Sequence, residues 1–319
     1  MSTFKSQLMV YMQEFLELRE SQGFSAKSYI KALHSLDGFY YNHYPTETNL
    51  TKTIVMEWID VSFRQSLSYM NRKISVIRNL GKYMADKGLD AYIIPDRFIT
   101  DKRVPVAYIF TDDEMKRLFN AIDNHVFSKN AFAHCQFPVL LRLIYTCGLR
   151  PQEGRTLEHD KVNITTGEIL ITKTKGNKDR IVVMSDDMLG LYRKYDALRK
   201  IKYPESAYAF PNTNGNAYSC EWLRVHFLKC WQSANPSILT KDLARVRVYD
   251  LRHRFASAVL NQWLDEQRNL DVMLPYLQAY MGHAVLSSTA QYIHMIPENL
   301  RKSNGVEWDI MNRVIPEVE

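Results

Sequence analysis

The chain has 319 residues, of which 46% are hydrophobic and 24% charged, and its formal net charge is +6. That length accommodates two domains with a core each, and the apolar content excludes a disordered chain. The modest excess of Lys and Arg permits a polyanionic partner without requiring one.

In chain order, the residues from about Thr3 to Gly88 read as helices in series. Phe4, Leu8, Met12, Phe15 and Leu18 recur at helical spacing before Gly23. Ser25 can cap a second helix that carries Tyr29, Ala32, Leu33, Leu36 and Phe39 on one face. A third helix is predicted over Ile54 to Phe63 and a fourth over Ser66 to Lys87, with Gly88 just beyond. Lys27, Lys31, Arg72, Lys73, Arg78 and Lys82 are candidate phosphate contacts, against the plainer reading that they solvate helix surfaces.

The stretch from Ile94 to Pro105 combines two prolines with several charges and has no period, which marks a linker. Thr111-Asp112-Asp113-Glu114 then supplies an N-cap and an acidic first turn, opening a larger domain. Gly167 to Thr174 and Arg180 to Met184 are rich in β-branched residues and flank Lys175-Gly176-Asn177-Lys178-Asp179, a hairpin signature. Further helices are predicted over Met188 to Ile201, Trp222 to Ser233, Leu251 to Trp263 and Pro275 to Met281. The expected class is mainly α with a small β-hairpin, an α+β fold.

Four cysteines, Cys135, Cys147, Cys220 and Cys230, show no C-x-x-C spacing, and His226 near Cys230 lacks companion ligands. Reduced thiols and no metal are expected. The N-terminus leads into a charged amphipathic stretch, and no run of about 18 apolar residues could span a bilayer, so a cytoplasmic location and no membrane partner are expected.

Four residues in order, two arginines, a histidine and a tyrosine, suggest chemistry. Arg150 ends Tyr145-Thr146-Cys147-Gly148-Leu149-Arg150, Arg252 sits in Tyr249-Asp250-Leu251-Arg252-His253, and Tyr292 lies nine residues after His283 of Gly282-His283. Attack of a tyrosine on a DNA phosphodiester needs fixed cations for the nonbridging oxygens, and arginine supplies them as a two-pronged donor that keeps its charge. Arg150 and Arg252 are the candidate clamp. Glu153 could accept from Arg150 and order the pocket, or form a surface ion pair with it. Tyr292 is the candidate nucleophile, forming a 3′-phosphotyrosine without metal or nucleotide cofactor. His283 could hydrogen-bond a nonbridging oxygen or assist proton transfer, or merely cap a helix. Lys175, on the hairpin, could protonate the departing 5′ oxygen, with Lys173 and Lys178 as rivals.

Together these motifs resemble the tyrosine recombinase, or phage integrase, family, over about Tyr108 to His294. The family pattern is an arginine in a Gly-Leu-Arg turn, a hairpin lysine, a His-x-x-Arg box, a Gly-His pair and a tyrosine nine residues on. Arg150, Lys175, Arg252, His283 and Tyr292 match it, Glu153 matches the acidic residue that usually follows the first arginine, and the hairpin is similar to that of Xer-like members. The chain departs at Tyr249, where most members place His; a phenol can donate a hydrogen bond but cannot act as imidazole does near neutral pH. His253 is not expected to substitute, since it points about 100° away from its neighbour Arg252.

The resemblance implies a helical core-binding domain over residues 1–95, a linker over 96–107, a catalytic domain over 108–296 and a tail over 297–319 that docks on a neighbouring protomer or on its own domain. The two domains are expected to form a C-shaped clamp on double-stranded DNA. It further implies a homo-tetramer on two DNA sites, with related recombinases or DNA-bending proteins as further partners, exchanging strands through a Holliday junction. The other readings are a topoisomerase-like swivelase and a DNA-binding accessory protein that does not cut.

Overall fold

The computed structural model describes residues 4–24, 26–62, 67–96, 98, 107–128, 130–172, 179–290 and 292. The chain divides into two compact units, Met1–Pro105 and Val106–Glu319.

The first unit is helical: α1 (Met9–Ser21), α2 (Lys27–His43), α3 (Lys52–Ser62) and α4 (Leu67–Asp86). Leu8, Phe15, Leu33, Leu36, Tyr40, Trp58, Ile77 and Leu80 fill its core. Each large apolar side chain buried there contributes about 1.5–3 kcal/mol. The first helix starts later than the apolar spacing suggests, because Phe4 and Leu8 reach the core from the segment before it. Ser25 and Phe63 lie outside the described residues.

Of the basic residues singled out in this unit, two are engaged internally. Lys73 is buried, its Nζ 2.9 Å from Ser35 Oγ and lying over the Trp58 and Tyr69 rings. Arg78 donates to the carbonyl oxygens of Ile94 and Pro95. Lys31, Arg72 and Lys82 are exposed, and the Lys27 side chain is outside the description.

The second unit runs α5 (Asp112–Asp123), α6 (Ala133–Thr146), α7 (Pro151–Arg155), a short 3-10 turn (His159–Lys161), β1 (Glu168–Ile171), β2 (Arg180–Val183), α8 (Asp186–Lys202), α9 (Cys220–Ser233), α10 (Tyr249–Asp265), α11 (Leu270–Met281) and α12 (Ser287–Ala290). Thr111 and Glu114 form the full capping box at the start of α5. The strands pair antiparallel, Glu168 opposite Val183 and Ile171 opposite Arg180. Ile169, Ile171 and Val182 face the core, whereas Leu170, Ile181 and Val183 face out. The architecture is thus mainly helical with a small two-stranded antiparallel sheet, as the sequence pattern predicts.

Several helices begin before their first apolar residue because side chains cap them. Ser185 and Ser219 accept from the backbone N–H groups of Met188 and Trp222, and Asn269 accepts from those of Asp271 and Val272. Pro275 therefore lies inside α11 rather than opening it. No disulfide joins the four cysteines. No helix among the described residues is long and apolar enough to cross a membrane. The hairpin turn with Lys173, Lys175 and Lys178, and the tail over 297–319, lie outside the described residues.

Candidate active site

Arg150 is placed by a turn that only glycine can make. α6 ends at Thr146, and Gly148 follows with φ +59°, while the Leu149 N–H closes onto the carbonyl of Ile144 at 3.0 Å. A Cβ at Gly148 would come within 2.4 Å of the Phe255 ring. Arg150 itself is extended, as a residue before proline must be, and Pro151 starts α7. Its Nη1 donates to Glu153 Oε1 at 2.7 Å, its backbone N–H to Glu153 Oε2 at 2.8 Å, and its Nη2 to the carbonyl of Gly282 at 2.7 Å.

Glu153 is a hub rather than half of a surface pair. Arg180, the first residue of β2, also donates to both of its oxygens, at 2.9 and 2.7 Å, and anchors its own Nε on the carbonyl of Tyr280. Arg252 Nη1 stands 3.9 Å away. Burial pushes the Glu153 carboxyl up, but the arginine pairing outweighs it and holds the group down at about 2. Three guanidiniums against this one carboxylate leave the cluster two positive charges in excess. Arg180 escaped the sequence reading because a strand-end cation beside a lysine-rich turn carries no mark of its partner.

Arg252 is fully buried in the first turn of α10. It donates to the carbonyls of Gly148, at 2.7 Å, and Met281, and its Nη2 lies 3.1 Å from His283 Nε2. Its Nε is buried with no partner among the described residues. Burial lowers its pKa to about 10, so it remains a cation at neutral pH.

Gly282 ends α11 in the left-handed conformation, φ +64°, and the His283 N–H closes the helix onto the carbonyl of Gln278 at 3.0 Å. His283 both finishes the helix with its backbone and aims its ring at Arg252. Since Arg252 can only donate, His283 Nε2 accepts, and Nδ1 carries the proton toward Thr289 Oγ1 at 2.8 Å. Burial, then Arg252, Arg150 and Arg180, push its pKa down to about 4, so the ring is neutral.

Tyr292 is 1% exposed and packs with Ala256, Leu260, Leu274 and Met281. Burial raises its pKa to about 12, against the opposing pull of Arg252 and Arg150. Its hydroxyl lies 3.0 Å from Nδ1 of His253, a residue not expected from the sequence to stand in for an imidazole at position 249. Although His253 points away from Arg252, it shares a helix face with Tyr249 four residues earlier, and the two rings are 5.0 Å apart. Arg150, Glu153, Arg252, His283 and Tyr292 are therefore brought into one region, with Tyr249 beside it. Among the described residues no three His, Cys, Asp or Glu side chains gather to hold a metal ion.

Residues 109–299 match the model of the phage integrase family. The tyrosine recombinase XerD of Rickettsia bellii is 24% identical over 317 residues, covering 92% of this chain and 97% of its own. XerC of Staphylococcus saprophyticus is 25% identical over 295 residues, covering 91% and 83%. A solved structure of a XerH site-specific recombinase bound to palindromic difH substrate, a post-cleavage complex, is similar in fold with a TM-score of 0.63, at 19% identity over 89% of this chain and 80% of that one.

Proposed function

The chain belongs to the phage integrase family, and on that premise we propose that it is a site-specific DNA recombinase that cuts and rejoins double-stranded DNA through Tyr292. The observation that carries this reading is the joint anchoring of Arg150 and Arg252. Both donate to carbonyls at the end of α11, Gly282 and Met281, beside His283.

In this reading the Tyr292 oxygen attacks phosphorus, forming the 3′-phosphotyrosine bond and releasing the 5′ oxygen, which takes its proton from Lys175. Arg150 and Arg252 stabilise the charge that grows on the nonbridging oxygens; losing one such donor costs about 3–4 kcal/mol of barrier. Glu153 and Arg180 hold the clamp in register, and neutral His283 supplies a polarisable hydrogen-bond partner. The phosphotyrosine conserves the bond energy for rejoining, so the reaction needs no nucleotide. Exchange through a Holliday junction by a homo-tetramer on two DNA sites, with both units contacting DNA, completes the proposal.

The test is an SDS-resistant adduct assay on nicked duplexes tiling the DNA that flanks the gene, wild type beside Tyr292→Phe, with a gel shift to follow binding. The expected result is an adduct from the wild type and none from the variant, which still binds. An adduct from Tyr292→Phe overturns the nucleophile assignment, and binding without any wild-type adduct favours a DNA-binding accessory protein.

A further inference from the structure

Tyr292 presents a problem that its assigned role does not solve. A phenol held at about 12 carries its proton at neutral pH, and a protonated phenol is a weak nucleophile. Arg252 cannot accept that proton, because a guanidinium only donates. His283 Nε2 already accepts from Arg252, and its Nδ1 faces Thr289. Tyr249, where an imidazole would be expected, offers only a second phenol.

We infer that His253 is the general base for Tyr292, an assignment that rests on Tyr292 being the nucleophile. Its Nδ1 stands 3.0 Å from the Tyr292 oxygen, within direct proton-transfer distance. With Nδ1 accepting, the ring proton sits on Nε2, which faces Asp250 Oδ1 at 3.8 Å. Asp250 is itself fully buried and fixed by the backbone N–H groups of Arg247 and Tyr108 and by the Arg247 guanidinium. Nucleophile and base are thus in direct contact, the pairing by which a weak hydroxyl nucleophile is activated, and the Asp250 carboxylate lies near Nε2 but beyond hydrogen-bond distance. Positions 249 and 253 lie one turn apart on the same face of α10, so an imidazole at 253 stands beside the site where one at 249 would stand.

As the Tyr292 oxygen bonds to phosphorus, its proton passes to His253 Nδ1, the bond from phosphorus to the 5′ oxygen breaks, and that oxygen takes a proton from the general acid. On rejoining, the 5′ hydroxyl gives its proton back to the acid and His253 returns one to Tyr292. Between these steps the imidazolium faces Asp250, which stabilises it. The ring must start neutral, and it does: burial lowers its pKa to about 4, Asp250 opposes that shift, and Arg247 and Arg252 add to it. The titratable groups turned toward it are Tyr249, Asp250, Arg247 and Arg252 from its own helix and the residues before it, and Tyr292 and His283 from the segments packed against it.

The experiment is single-turnover adduct formation on the nicked duplex that the wild type cleaves, followed from pH 5.5 to 9 for wild type, His253→Ala, His253→Asn and Tyr292→Phe, with and without added imidazole. Asn places an amide oxygen near the position of Nδ1, keeping a hydrogen-bond acceptor without a base. We expect both His253 variants to bind the duplex and to form adduct roughly 10²–10⁴-fold more slowly at pH 7. Their rates should climb about tenfold per pH unit as hydroxide takes over the proton, where the wild type is flat, and imidazole should restore His253→Ala but not His253→Asn. Wild-type rates in the variants overturn the inference, and so does a slow rate with an unchanged pH profile and no imidazole rescue, which marks a packing role. Adduct formation by Tyr292→Phe overturns the nucleophile reading instead, a result distinct from either.

Discussion

The guanidinium of Arg252 donates to the carbonyl oxygen of Gly148, 104 residues earlier in the chain, at 2.7 Å. The turn that presents Arg150 therefore also holds Arg252, and the two candidate clamp residues share one support.

Gly148→Ala tests that support. A left-handed alanine costs about 1–2 kcal/mol before the Phe255 ring is displaced. We expect the melting temperature to fall by roughly 2–8 °C. Adduct formation should slow by on the order of a hundredfold, because a shift of about 1 Å in a positioning group has that effect. A variant that melts and reacts like the wild type would show that the turn is not what sets the clamp.

Glu153→Gln removes the carboxylate on which the arginines converge. The folded carboxyl, at about 2, lies below its ordinary 4.5, so its stabilising contribution is complete above about 4.5 and is lost as pH falls toward 2. That difference corresponds to about 3 kcal/mol at neutral pH. Urea unfolding should find the variant less stable than wild type by that order at pH 7, with the gap narrowing at pH 3. A gap independent of pH would assign the loss to packing rather than charge.

Lys175→Ala should slow cleavage of an ordinary nicked duplex and leave cleavage of a 5′-phosphorothiolate duplex nearly unchanged, since a sulfur leaving group needs little protonation. General acid catalysis is worth about 10²–10⁴-fold, which sets the expected drop. Rescue of Lys173→Ala or Lys178→Ala with failure at Lys175 would move the acid to one of those residues.

Tyr249→His is expected to keep activity while changing its pH dependence. An added imidazole titrates near 6.5 unless burial lowers it, so a new limb should enter the rate profile on the acid side of neutrality. A dead variant would show that the pocket is built around the phenol that packs on His253.

The order Arg150, Arg252, His283, Tyr292, the hairpin strands and the capping box at Thr111 were legible in the sequence because each is local. A cap, a β-branched run or a Gly-Leu-Arg turn is encoded within a few residues, and the family motifs are strings of such pieces. The amino-acid order alone thus determined which candidate site residues the chain carries and that it is mainly helical. It did not determine the partners. The bonds from Arg150 to Gly282, from Arg180 to Glu153 and from His253 to Tyr292 span 132, 27 and 39 residues. No spacing rule relates such positions, because α10, α11 and β2 meet only when their apolar faces are buried together. Packing alone decided that Lys73 turns inward, that Glu153 is shared by arginines, and that the imidazole facing the candidate nucleophile is the one a helical turn beyond the position where it was sought.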